Sequence, residues 1–485
     1  MSDVADSWNA RQRRCRASRS RCGRIPAVLL AGALAGCVPY HPAPLVPAQS
    51  AHEFAARRLS DPRLADEVQP LLGRDEAAWP PQQWGRAELL AVALTQNPDL
   101  AVARAQTQAT LAHEITAAQI PNPDLLLQSE YAIHDAHPWL YGIEFDWLLR
   151  SPERRRLEIG IARLDTQNAR LQLMNQAWSV RHALAAGLSD AEGARRSLLL
   201  LDRLAKAQDR LSQLEQRRVA AGEDSPSELL TVERARIEIE QQESEQRALV
   251  DSSRAAAAKA LGLPPQALDG VALVWPDWGE PPAVDDQQLR ACGEQALLSR
   301  ADLSAAINEY SMAERKFHLA VARQYPELTL GPGYYWDHGI AKFPFDVGFT
   351  LPLNGNRGEI AETRAERDLA GQRMLALQSD IYGSIESASR AEHIARSNAD
   401  AAERQLETAR RQEGQVDLGV HLGASDSLEQ LAAQIATVRA ELVLVGLRGQ
   451  LQASRNLLED ALHTPLSGPE LALVKSMSTA SGSGS

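Results

Sequence analysis

Four carboxylates in this chain fall at alternate positions of short segments that are otherwise Leu, Ile, Phe, Tyr and Trp: Glu130, Glu144, Asp146 and Asp346. If those segments are strands, successive side chains point to opposite faces, so the acids gather on the polar one. Converging carboxylates concentrate cations. A plainer reading also stands, that any water-facing surface is polar. A second group able to react is the Cys37 thiol. Other chemistry has no visible apparatus. There is no Gly-rich phosphate loop, no nucleophile elbow and no clustered metal-ligand spacing, so neither an enzyme nor a cofactor is expected. His134, Asp135 and His137, with Asp337 and His338, fall between apolar segments where loops are expected. Two His residues at that spacing could hold a metal ion, but loop tips are commonly polar for no such reason.

Cys37 is placed by what precedes it. Arg11, Arg13, Arg14, Arg16, Arg19, Arg21 and Arg24 crowd a basic leader, and an apolar run from Ile25 to Gly36 follows. That run is shorter than the roughly 20 residues a bilayer span requires, but it suits a secretory h-region. Leu34-Ala35-Gly36-Cys37 has the form of a bacterial lipobox, a signal in which the thiol is acylated and becomes the N-terminus after cleavage. Val38 stands next, not Asp, which by resemblance to lipoprotein sorting favours the outer membrane. Pro39, Pro42, Pro44 and Pro47 then read as an extended tether.

Composition narrows the class further. The chain has 485 residues and a net charge of −12, and its mean hydropathy is −0.31. An acidic chain with no basic stripe in its mature part is a poor partner for nucleic acid. Aromatics are only 5% of residues, and Ala, Leu, Arg, Glu and Gln dominate long stretches, as in long helices and coiled coils. Cys15, Cys22, Cys37 and Cys292 give no disulfide framework.

The elements that must position the acids repeat. Asp99-Leu100 matches Asp302-Leu303, Pro123-Asp124-Leu125 matches Pro326-Glu327-Leu328, and Tyr131 matches Tyr334, all at one offset of 203 residues. Phe145 with Phe349 and Leu149 with Leu353 follow one residue further on, and Val219 to Gly222 resembles Val416 to Gly419. Each half reads as helix, two short strands, very long helix, tight turn and helix. The first-half elements fall near 86–119, 123–134, 139–150, 152–219 and 226–261. The second-half elements fall near 287–323, 326–337, 343–353, 357–417 and 427–462. The resulting division is 1–36 signal peptide, 37–84 lipid-anchored tether, 85–263 first repeat, 264–286 linker, 287–463 second repeat and 464–485 disordered tail.

Each strand has about the 10 residues that a tilted strand needs to cross a bilayer. Eleven of the chain's Trp, Tyr and Phe residues fall in 123–149 and 326–353, as expected of the aromatic girdles of a membrane barrel. Four strands cannot close a barrel, and lipid tolerates no open edge. Two chains would give eight strands and a lumen filled by side chains, whereas three give twelve and leave a channel. A homotrimer is therefore predicted. Between Pro152 and Val219 no further Pro interrupts a helix of roughly 100 Å. Leu157, Leu164, Leu171 and Trp178 lie seven apart along it, as a seam. The hairpins turn at Ala221 to Pro226 and at Gly419 to Ser425. Gly222 and Gly419 are expected to end helices, and Ser225 and Ser425 to cap the next ones.

Together these residues resemble the TolC-like outer membrane efflux protein family. The resemblance is carried by Asn97-Pro98-Asp99-Leu100, Pro121-Asn122-Pro123-Asp124-Leu125, Pro326-Glu327-Leu328 and the two Gly-Ser tips, and it covers about 85–463. It implies a mainly α fold with a small membrane β-barrel portion: a trimeric 12-strand barrel, four strands per chain, continued by a long periplasmic α-helical barrel. It also implies docking of the tips Gly222, Ser225, Gly419 and Ser425 to a periplasmic adaptor, and through it to an inner-membrane transporter of RND type. The family narrows its closed tip with acidic residues three apart at the start of the last helix. Asp426 and Glu429 match that pattern, though the second position is usually Asp, and both also suit an ordinary helix start. The Pro-Asn-Pro-Asp-Leu entry and the lipobox lean toward the CusC- and CzcC-like heavy-metal branch. Where that branch often has Gly-Gly-Lys-Arg, this chain has Arg150-Ser151-Pro152-Glu153-Arg154, which leaves the substrate open. Competing readings are the duct of a type I protein secretion system, a periplasmic adaptor and a coiled-coil lipoprotein. An adaptor would need a lipoyl-like β-domain beside one hairpin, and a coiled-coil lipoprotein would not need alternating strands.

Overall fold

A computed structural model describes residues 40–73 and 78–474. Cys37, the basic leader and the Ser/Gly-rich end from Ser476 lie outside the described residues. Helix α1 (Pro47–Ala56) falls at the junction of two units, Met1–Phe54 and Ala55–Ser485, and the second unit holds every later element. The first half of that unit runs α2 (Pro62–Leu72), α3 (Arg86–Gln96), α4 (Pro98–Ala118), β1 (Asp124–Tyr131), β2 (Trp139–Leu149), α5 (Pro152–Ala221) and α6 (Pro226–Leu261). Its second half runs α7 (Asp286–Ser299), α8 (Ala301–Ala322), β3 (Leu328–Asp337), β4 (Ile340–Lys342), β5 (Phe345–Phe349), α9 (Arg357–His421) and α10 (Ser427–Leu462).

Proline sets many of these starts. It lacks an N–H and is tolerated in the first turn, where that donor would be unpaired anyway. Accordingly α4, α5 and α6 each carry it there. The helix expected over 86–119 is two helices, because Asn97 leaves the helical conformation and caps the second. Its Oδ1 accepts from the N–H groups of Asp99 at 2.9 Å and Leu100 at 3.2 Å. The helix expected over 287–323 likewise breaks at Arg300, which is extended (φ −61°, ψ 137°).

All strand pairs are antiparallel. The order is β1-β2-β3, with β4 and β5 both paired to β3 as two pieces of one fourth strand. The single strand expected over 343–353 is broken at Phe343-Pro344, since Pro344 has no donor for the ladder. Only its carbonyl is used, accepting from the Gly333 N–H at 3.0 Å. The strand ends at Phe349.

Helices α5 and α9 are 70 and 65 residues long, which makes α5 roughly 105 Å at 1.5 Å per residue. Near the sheet, α5 packs between α4 and α8, and α8 also meets α9. Towards the other end the same two long helices pack against α6 and α10. Helix α5 therefore has neighbours on both flanks and no single apolar seam. Of the four seam residues only Leu164 is buried, while Leu157, Leu171 and Trp178 are half-buried. Small residues such as Ala162, Ala169, Ala185 and Gly187 admit the neighbours closely. By length and composition α10 could cross a membrane. In the fold it packs on α9 and α5, and its Glu441 pairs with Arg203 at 2.6 Å and Arg410 at 2.9 Å.

The largest core lies at mid-length, around α3 and the middle of α5. The segment 264–286 packs there. Trp278 is 1% exposed, and its indole N–H donates to the Ser189 carbonyl at 3.1 Å. Gly193 leaves room for that ring, because a Cβ there would sit 2.9 Å from it. Two stretches expected to form a tether and a disordered tail are packed rather than loose. Leu59, Leu64, Val68 and Trp84 are buried, and so are Glu470 and Leu473. Apolar spacing in α2 and one buried acid in the tail outweigh the polar composition around them.

Candidate functional site

The register places the predicted acids together. Asp124 faces Asp146, Leu126 faces Glu144 and Glu130 faces Leu140 across β1–β2; Glu144 faces Gly333 across β2–β3; and Gly331 faces Asp346 across β3–β5. Glu130, Glu144, Asp146 and Asp346 thus share one face of the sheet, with Asp124 and Tyr335 beside them. The face is built around glycines. Tyr335 lies over Gly142, where a Cβ would come 2.1 Å from its ring, and its hydroxyl donates to Glu144 Oε2 at 2.5 Å. At Gly331 a Cβ would sit 2.9 Å from Glu144 Oε1 and 3.2 Å from Asp346 Cβ. Sequence reading omitted Tyr335 from the site. Its signal was its place one residue out of step with the aromatic face, between Tyr334 and Trp336.

The opposite face is apolar and uncovered. Trp139 is 56% exposed, Phe145 46% and Phe345 63%. Between strands, Tyr131 meets Trp139 edge-on at 5.0 Å and Tyr141 stacks on Trp336 at 6.4 Å. A soluble sheet buries such a face and wets the other. Here the wet-type face is the more sheltered along β2, where Leu140, Glu144, Asp146 and Leu148 are half-buried.

At the far end the two hairpins turn differently. Gly222 adopts the left-handed conformation (φ 77°) and closes α5, its N–H donating to the carbonyls of Arg218 and Val219. Ser225 occupies the N-cap position of α6, but its hydroxyl bonds Ser227 Oγ at 2.6 Å rather than the backbone. Gly419 does not end its helix as expected. It lies inside the last turn of α9, and the positive φ falls at Gly423 (72°). Gly419 is small for another reason: a Cβ would meet Ser425 Oγ at 2.7 Å, and its carbonyl accepts from the N–H groups of Ala424 and Ser425. Nor does Ser425 cap α10. Asp426 does, accepting from the N–H groups of Leu428 at 2.9 Å and Glu429 at 2.8 Å. Asp426 and Glu429 are exposed at this tip.

Between sheet and tips, two equivalent locks join helix ends. Asn97 Nδ2 donates to the Ala260 carbonyl at 2.8 Å, just before Gly262 (φ 71°) ends α6. Arg300 donates to the Ala461 carbonyl, just before His463 (φ 48°) ends α10. Arg300 also holds Asp302 through two bonds, at 3.0 and 2.7 Å. Burial pushes the Asp302 carboxyl up, but those bonds outweigh it and leave the group below its usual range. Burial, with Arg300 nearby, pushes the His463 imidazole down to about 4. Beside it, buried Arg181 pairs with buried Glu459 at 2.5 Å and buried Glu470 at 2.8 Å, tying α5, α10 and the tail.

In the hairpin loops, His338 Nδ1 meets the His137 carbonyl at 2.7 Å, with Asp135 at 3.8 Å and Asp337 at 3.6 Å. Among the described residues no group of three or more His, Cys, Asp or Glu is arranged to hold a metal ion. Cys292 is half-buried against Ala296 and Ala388.

A four-position antiparallel sheet with an uncovered apolar face, set on helices of this length, is a fold shared with solved outer membrane channels. Residues 293–463 match the family model described as outer membrane efflux protein. Solved structures of the same fold include the outer membrane protein VceC of Vibrio cholerae, 16% identical, with TM-score 0.63 over 78% of this chain and 95% of that one. The CmeC outer membrane channel of Campylobacter jejuni is 12% identical, with TM-score 0.66 over 91% and 98%. CusC is 14% identical, with TM-score 0.63 over 88% and 99%. No curated protein matches the sequence.

Proposed function

We propose that this chain is the outer-membrane duct of a tripartite efflux system, passing substrate from a pump and its adaptor through the periplasm to the exterior. The observation that carries this reading is the sheet's uncovered apolar face above a helical wall of about 105 Å. Such a face is stable against lipid, and its open edges at β1 and at β4 and β5 call for partner strands. Three copies supply twelve strands and a lumen wide enough for solutes. In that assembly the polar face lines the lumen, and Glu130, Glu144, Asp146 and Asp346 give it a cation preference. The hairpin tips at Gly222, Ser225, Gly419 and Ser425 are the docking end for the adaptor. Asp426 and Glu429 narrow the entrance there, and Asp426 does so while capping α10. Acylation of Cys37 adds a lipid anchor.

The similarity to CusC is no greater than that to VceC or CmeC, so the fold favours no substrate class. A strain lacking the gene, challenged with Cu, Ag, Zn, Co and Cd salts beside antibiotics and detergents, tests the function. Sensitisation to at least one class, reversed by the gene, is expected. Unchanged tolerance of all of them contradicts efflux.

A further inference from the structure

Directly below β2 the chain places arginines where a helix least favours them. Arg154, Arg155 and Arg156 fall in the first two turns of α5, at the positive end of its dipole. Arg154 is committed to the protein. It donates to the Ala322 and Tyr325 carbonyls and pairs with Glu327 at 3.4 Å. Arg155 is only half committed: one Nη donates to the Ala118 carbonyl at 2.6 Å, while its buried Nε has no partner. Arg156 is exposed and forms no ion pair among the described residues. Arg155 and Arg156, together with Arg163 and with Arg315 from α8, line a cleft of about 710 Å³ that no carboxylate lines. Arg315 enters across α5 because Gly160 has no side chain, and a Cβ there would lie 2.8 Å from its Nη1. It donates to the Gly160 carbonyl. Leu157 and Ile159 supply apolar wall.

At this helix N-terminus Arg156 has no ion pair among the described residues and the Arg155 Nε no partner, which asks for an anion, and planar Arg forks suit phosphate. The location says which phosphate. Trp147 and Leu149, exposed on the apolar face, end β2 just before α5 begins. If the strands span the hydrocarbon, Arg155 and Arg156, about 5–6 Å along α5, enter the headgroup layer, which extends roughly 5–7 Å beyond it, and Arg163 and Arg315 close the cleft on its periplasmic side. We propose that the cleft binds the phosphate of an anionic phospholipid of the periplasmic leaflet, whose acyl chains lie along the apolar face of the sheet. The proposal rests on the membrane-duct reading. Basic pockets at this level of a membrane protein recognise such headgroups.

The test uses the full chain in neutral detergent, titrated with phosphatidylglycerol, with phosphatidylcholine and with inorganic phosphate, and read by bound lipid in native mass spectra. Phosphatidylglycerol should bind at least about tenfold more tightly than phosphatidylcholine. R156Q/R163Q should cut that affinity by about tenfold and leave the oligomer intact, because Arg156 is exposed and the Arg163–Glu114 pair at 3.2 Å is a surface one. Equal binding of the two lipids, or undiminished binding by R156Q/R163Q, overturns the proposal. So does inorganic phosphate at millimolar level displacing the lipid completely, since that marks a plain anion site. Alkaline carbonate extraction of native membranes separates the cleft from the duct. Release of the wild-type chain would remove the duct reading itself, whereas retention without lipid preference removes only the cleft.

Discussion

Tyr335 of β3 covers Gly142 of β2 and donates its phenol hydrogen to Glu144 Oε2 at 2.5 Å. One small residue, one aromatic and one acid thus fix the relation of the two central strands on their polar side. A Leu at position 142 would put its Cβ 2.1 Å from the Tyr335 ring and its branched end further into it. G142L should cost roughly 1–3 kcal/mol, as overpacking does. It should lower the dissociation temperature of the proposed trimer in detergent. An unchanged midpoint would show that the ring moves freely.

Removing the charge of Glu144 leaves the donor of Tyr335 satisfied in E144Q, because an amide oxygen also accepts. Stability should therefore hold while the lumen loses one acid per protomer. Cation-over-anion permeability in planar bilayers should fall. If selectivity does not change in E144Q or in D346N, the carboxylates are merely polar lining, the plainer of the two readings open in the sequence.

Asp426 caps α10, and substitution can separate that cap from the entrance role proposed for it. Asn caps a helix about as well as Asp, while Ala loses the cap at a cost of about 1 kcal/mol. D426N/E429Q should keep α10 intact and widen the entrance electrostatically, raising single-channel conductance. D426A should add fraying of the first turn, visible as faster amide exchange at Leu428 and Glu429. Conductance unchanged in both variants would reduce Asp426 to a cap.

The Arg181–Glu459–Glu470 cluster is buried at all three positions. R181M leaves two buried acids facing each other without their cation, and breaking a buried pair in this way typically costs about 3–5 kcal/mol. The variant should release the tail to proteolysis near residue 466 before the helices unfold. Equal protease resistance would mean the tail is held by its apolar contacts at Leu466, Leu473 and Val474.

His463 supplies a pH dependence. Its folded value is about 4 against 6.5 for the free side chain, so as pH falls below 6.5 the unfolded chain takes up a proton that the folded one refuses. Stability should fall from pH 6.5 towards 4 and level off below. Asn tolerates the left-handed conformation at this position, and H463N should flatten that part of the profile. Parallel profiles for the two proteins would refute the assignment.

Much of this was legible in the chain because strand alternation keeps its period whichever face is covered. Trp139, Tyr141, Ile143, Phe145 and Trp147 alternate whatever covers them, and the acids fall on the other face by necessity. The repeat was legible because Asn97-Pro98 and the Gly222 turn use residues with few conformational substitutes. Their partners in the second half use others. Arg300 replaces Asn97, and His463 takes the left-handed place of Gly262. A pattern of residue types therefore carried the first lock and not the second. At the second tip, Gly419 and Gly423 compete for the turn, and only the close approach of Ser425 decides between them. Arg181 was hidden for a different reason, since in a chain so rich in Arg and Glu nothing periodic marks which pairs are buried.

A duct function depends most on the sheet being one third of a closed barrel. The mass of the detergent-solubilised full chain, measured by native mass spectrometry, tests that directly. Three protomers per particle is the predicted result. A particle of one or two protomers, stable across detergents, would contradict it and leave the apolar face without an explanation.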